Sequence, residues 1–86
     1  SGFTRKLFRV RAPEKFRLIT ALKEYPETLS AYPFGDSVHV TFRGDTPGND
    51  LAGYLRNAGV EEMTLSETSP GIEDRFLELM EDTREE

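Results

Sequence analysis

Residues 29–34 and 37–43 are two strand-like runs, the second alternating apolar and polar, joined only by Gly35-Asp36, and that short joint constrains the chain more than anything else in it. A two-residue loop containing glycine supplies the positive φ that a tight hairpin demands, so the two runs must become adjacent antiparallel strands. Alternation then assigns faces: Val38, Val40 and Phe42 turn inward, and Ser37, His39, Thr41 and Arg43 turn outward. Pro33 has no N–H to give to a ladder, which places its strand at a sheet edge unless a bulge sits there.

The hairpin is framed by two strand-helix units. Leu7-Phe8-Arg9-Val10-Arg11-Ala12 alternates as a half-buried strand, with Phe8, Val10 and Ala12 inward and Arg9 and Arg11 on the outward side. Pro13 suits the first position of a helix, and Phe16, Ile19 and Leu22, with Leu18 and Tyr25 beside them, predict an amphipathic helix over 14–25 ended by Pro26. After the hairpin, the cluster Gly44-Asp45-Thr46-Pro47-Gly48 offers Asp45 or Thr46 as a helix cap. Leu51, Ala52, Leu55 and Ala58 form the stripe of a second helix stopped by Gly59, and Val60, Met63 and Leu65 fall in a last short strand. Gly53 lies inside that second helix, where close backbone packing against a strand would account for it.

The element order is β-α-β-β-α-β, the ferredoxin-like split pattern, so an α+β fold is expected: an antiparallel sheet with both helices on one face, plus an additional C-terminal helix. Ile72, Phe76, Leu77, Leu79 and Met80 give that closing helix an apolar side, to be buried on the open face of the sheet or against a partner.

Eighty-six residues make one domain, which hides roughly 60% of its unfolded surface. Six Phe and three Tyr supply enough apolar mass for that core. Ser1-Gly2 reads as an expression-tag remnant, 3–82 as a single α+β domain and 83–86 as an acidic disordered tail. The absence of cysteine removes disulfides, thiolate metal sites and a Cys nucleophile, and fits a cytoplasmic setting. No apolar run approaches the ~20 residues of a membrane span.

Charge is segregated. The first 23 residues carry seven bases against one acid, a net of +6, while residues 61–86 carry ten acids against two arginines, a net of −8. The acidic tail and a pI near 4.9 argue against nucleic acid as a partner. Chemistry is sparse as well. His39 is the only histidine, has no acid at metal spacing, and reads as a solvated surface residue. Glu61-Glu62 and Glu73-Asp74 are sequence neighbours, which on a helix do not face one another. Ser66, Thr68 and Ser69 have no partner base, and no G-x-x-x-x-G-K-[ST] loop is present, so this chain alone cannot hydrolyse ATP.

Five blocks nevertheless occur in a recognisable order: the strand 7–11, the helix end 22–26, Gly35-Asp36-Ser37-Val38-His39-Val40, Ala58-Gly59-Val60, and the closing Pro70-Gly71-Ile72-Glu73-Asp74-Arg75-Phe76-Leu77-Glu78-Leu79. Together they resemble the C-terminal accessory region of bacterial ABC-transporter ATP-binding subunits of the drug and multidrug exporter type, whose closing segment reads P-S/T-L-E-D-x-F-L-x-L. One departure is Gly71, which stands where that family has Ser or Thr. Glycine caps a helix start only a few tenths of a kcal/mol less well than Ser.

The resemblance implies a non-catalytic, regulatory or structural domain that mediates contacts with the parent ATPase core, its dimer mate and a transmembrane permease subunit. ATP and Mg belong to the parent core, and no cofactor or metal is expected in this chain. Localisation would be cytoplasmic, associated with the membrane only through the transporter complex, with a homodimer also open. Glu73 and Asp74 fall in the first turn of the closing helix, where carboxylates meet the positive end of its dipole. Phe76, Leu77 and Met80 are candidates for its buried face, and Arg9, Arg11 and Arg43 for receiving an acidic partner. An ACT-like metabolite-binding domain shares the fold class, although Arg11-Ala12-Pro13-Glu14 lacks the glycine-rich turn that would favour it. An RNA-recognition module would need exposed aromatics on the open sheet face, where the pattern supplies Arg, His, Thr and Ser.

Overall fold

The computed structural model describes residues 5–69 and 71 of the chain. Six elements follow one another: β1 (Leu7–Arg11), α1 (Lys15–Glu24), β2 (Thr28–Phe34), β3 (Ser37–Phe42), α2 (Leu51–Asn57) and β4 (Thr64–Thr68). The strands form one antiparallel sheet in the order β2-β3-β1-β4, so β1 and β3 are central and β2, with Pro33, is an edge. This α+β arrangement is compatible with a small ferredoxin-like fold. The closing helix expected around Ile72 to Met80, with the tail at 83–86, lies outside the described residues.

The hairpin forms as its loop requires. Gly35 takes φ +61° and Asp36 does not turn positive, the pattern of a type II′ loop. The loop fixes the register, so Phe34 pairs with Ser37 and Tyr32 with His39. Between Thr28 and Ser30 the ladder skips one residue, and Leu29 sits in that irregularity, exposed.

One apolar cluster fills the space between the sheet and both helices: Phe8 and Val10 from β1, Val38, Val40 and Phe42 from β3, Leu18, Ala21, Leu22 and Tyr25 from α1, and Leu51 and Leu55 from α2. The buried stripe of α1 is therefore 18, 21, 22 and 25, and Phe16 is 83% exposed rather than part of it. Consecutive helical residues are ~100° apart, so Phe16 lies about 200° around from Leu18 and Ile19 falls on the flank. Pro13 stands before the helix instead of opening it; Glu14 is the N-cap residue, and its carboxylate accepts a hydrogen bond from Arg17 Nε at 3.0 Å.

The second helix also starts later than its turn cluster suggests. Asp50, not Asp45 or Thr46, holds the N-cap position, and Ala52 and Ala58 are exposed, leaving Leu51 and Leu55 as its anchors. Its end is a Schellman motif: the Val60 N–H donates to the Leu55 carbonyl at 2.9 Å and the Gly59 N–H to the Arg56 carbonyl at 3.0 Å, with Gly59 at φ +91°. Val60 is thereby buried as the contact that closes the helix and takes no part in β4. Leu65 does lie in β4 but is exposed at 37%, because neither helix reaches over that edge. Gly53 faces open space, with nothing within 4 Å of where a Cβ would stand, so close packing does not explain it and nothing else in the structure does.

Candidate interaction surface

The side of the sheet away from the helices carries the arginines singled out above. Arg9 stands opposite His39 in the β1–β3 ladder, and Tyr32 stands opposite His39 on its other side. Those pairings put Arg9, His39 and Tyr32 in one row across three strands. Phe34 stacks on the His39 ring with centroids 4.2 Å apart and planes 19° from parallel, and Tyr32 approaches it edge-on at 6.3 Å. Ser30 and Thr41 share a hydroxyl hydrogen bond at 2.6 Å, and Ser37 Oγ donates to the Phe34 carbonyl at 3.0 Å.

This face is not the solvated polar surface that alternation suggests. His39 is only 2% exposed, and Leu7, Ser37 and Thr41 are buried with it. The histidine sits on a central strand, walled by Arg9 on one side and by two aromatic rings of the edge strand on the other. Aromatics also occupy a face where only Arg, His, Thr and Ser are expected. The signal for them was present: a two-residue loop obliges Phe34 to face Ser37 and Tyr32 to face His39, on the outward side.

The candidate arginines are differently engaged. Arg9 is half-buried, and its Nη2 lies 3.4 Å from Thr68 Oγ1. Arg11 is exposed and makes a 3.6 Å ion pair with the exposed Asp36, a contact of little energetic weight. Arg43 follows β3 at the far end of the face, where its Nε donates to the Pro26 carbonyl at 3.3 Å. Arg5 joins it there by donating to the Phe42 carbonyl at 2.9 Å. The structure thus brings Arg9 and Arg11 together and leaves Arg43 apart. Glu73, Asp74, Phe76, Leu77 and Met80 lie outside the described residues.

A cleft of about 490 Å³ lies between the β1–α1 turn and the α2–β4 loop. Pro13, Glu14, Arg17, Gly59, Glu61 and Glu62 line it, and Glu62 adopts the left-handed region at φ +57°. Among the described residues no three of His, Cys, Asp or Glu are grouped to hold a metal ion. Among them, too, no helix is long and apolar enough to cross a membrane.

A strongly perturbed titratable group, Tyr25, is structural. Burial, and then the Asp50 carboxylate that accepts its hydrogen bond at 2.6 Å, push the Tyr25 phenol up to about 12. Tyr25 closes α1, packs its ring on Tyr54 and Phe42, and so ties the end of one helix to the start of the other. Sequence reasoning placed Tyr25 only beside the core; an aromatic ending a helix before Pro26 gave no sign of its partner 25 residues on. The chain matches no protein-family model, no curated protein and no solved structure.

Proposed function

We propose that this chain is a non-catalytic accessory domain of an ABC-transporter ATP-binding subunit, one that works by packing rather than by chemistry. In this reading it has the ferredoxin-like fold and braces or regulates contacts between the parent ATPase core, its dimer mate and a transmembrane permease subunit. ATP and Mg are bound by the parent core, and the complex holds the domain at the cytoplasmic side of the membrane.

The observation that carries the reading is the ordered set of five sequence blocks. Two of them coincide with defined backbone features: Gly35-Asp36 forms the loop of the central hairpin, and Ala58-Gly59-Val60 forms the Schellman end of α2. A motif held by backbone geometry in this way is one that a fold would keep. The test is the gene from which the chain comes. A Walker A loop and an ABC signature are expected upstream of residue 1, and a gene carrying neither would sink the proposal. In the parent protein, removal of this domain is expected to leave nucleotide binding intact while weakening subunit pairing or export.

A metabolite-binding, ACT-like role is the second reading, supported by the cleft beside Glu62. A thermal-shift screen against amino acids and nucleotides separates the two, because a ligand at 100 times its dissociation constant stabilises by about 2.7 kcal/mol. No shift with any of them would remove the metabolite reading.

A further inference from the structure

We propose that the outer face of the sheet is the docking site of the chain's own closing segment, residues 72–80, and that this face is an internal contact rather than a surface open to partners. The first ground is burial. Leu7, Ser37, His39 and Thr41 are nearly inaccessible on the side of the sheet where neither α1 nor α2 lies. Tyr32 and His39 both hold further contacts besides their ring packing.

Charge is the second ground. Residues 72–86 contain seven acids and two arginines, a net of −5, while this face carries Arg9 and Arg11, with Arg5 at its end. The apolar side chains match in kind as well. Ile72, Phe76 and Met80 recur every four residues, as one side of a helix would present them, opposite a face bearing Leu7, Tyr32 and Phe34.

Reach is the third. Thr68 ends β4 opposite Leu7, so the chain leaves the sheet at the rim of this face, and only residues 69–71 intervene. Crossing from β4 to β2 spans three strand spacings, or ~14 Å, and nine helical residues at ~1.5 Å each cover about the same length. The segment is long enough to lie across all four strands.

The chain has no cysteine, so Glu78→Cys supplies a single attachment point for a nitroxide spin label on the intact protein. Amide signals of Arg9, Tyr32 and His39 are expected to broaden strongly, with those of Phe16 and Tyr54 on the helix side little affected. Broadening centred on the helices, or broadening nowhere in the sheet, overturns the proposal. Strong broadening that appears only when labelled chains are mixed with unlabelled, isotope-enriched ones would assign the face to a second copy and overturn it equally. His39 gives an independent reading as the single histidine. Its acylation by diethyl pyrocarbonate is expected to quicken at least tenfold in Phe76→Asp, provided the hairpin's amide pattern is retained; an unchanged rate would count against docking.

Discussion

At the scale of single residues, Gly48 and Gly53 respond oppositely to an added Cβ. Gly48 has no room for a side chain, since a Cβ there would stand 2.7 Å from Tyr25 Oη and 2.8 Å from Asp50 Oδ1. Gly48→Ala is therefore expected to destabilise by about 1–3 kcal/mol, the usual cost of overpacking. Gly53→Ala should do the reverse. It fills open space in a helix and is expected to stabilise by about 0.5–1 kcal/mol in urea denaturation. Tyr25 makes the same neighbourhood sensitive to pH. Its folded pKa of about 12 exceeds the ordinary value of 10.0, so its contribution is fully present below pH 10 and is lost as pH rises through 12. Tyr25→Phe is expected to cost about 1 kcal/mol at neutral pH, the worth of one hydrogen bond, and to flatten the stability profile between pH 10 and 12. A variant with an unchanged alkaline slope would show that another group governs it.

At the scale of elements, what the sequence disclosed follows how local each device is. The hairpin was readable to within a residue at each end because Gly35-Asp36 fixes both loop length and register. Helix starts were not, because several residues of the 44–50 cluster can cap, and the choice fell to Asp50, whose carboxylate is bound by Tyr25 from a distant element. The α2 end is again local. Gly59 provides φ +91°, and Arg17 lies across it with Nη1 at 2.9 Å from where a Cβ would stand. Gly59→Ala consequently carries two penalties, one of backbone conformation and one of crowding. It is expected to lose about 1–2 kcal/mol through the left-handed backbone alone. Comparison with Arg17→Ala and the double variant separates the two, because removing the arginine relieves only the crowding. Full recovery in the double variant would mean that φ at this position costs nothing.

At the scale of the whole molecule, β-α-β-β-α-β was legible from periodicity, yet the character of the second sheet face was not. Alternation says which way His39 points but nothing about what stands over it, and burial of that face is a tertiary fact. The charges show the same division. Described residues contain nine bases and nine acids, so the entire excess of −5 sits in residues 72–86, a segregation visible in the sequence whose consequence depends on distance. If that segment lies against Arg5, Arg9 and Arg11, the two charge sets attract across a few ångströms. If it stays in solvent, its acids mainly repel one another. Ionic strength separates these cases, since the screening length falls from ~30 Å at 0.01 M to ~8 Å at 0.15 M salt. Attraction predicts that stability in urea falls across that range, by ~1 kcal/mol or less for charges that remain partly solvated. Phe76→Asp should abolish the fall by releasing the segment. Stability that rises with salt in the unaltered chain would mean that self-repulsion of the acidic segment dominates, and the basic face would then have to find its acidic partner in another molecule.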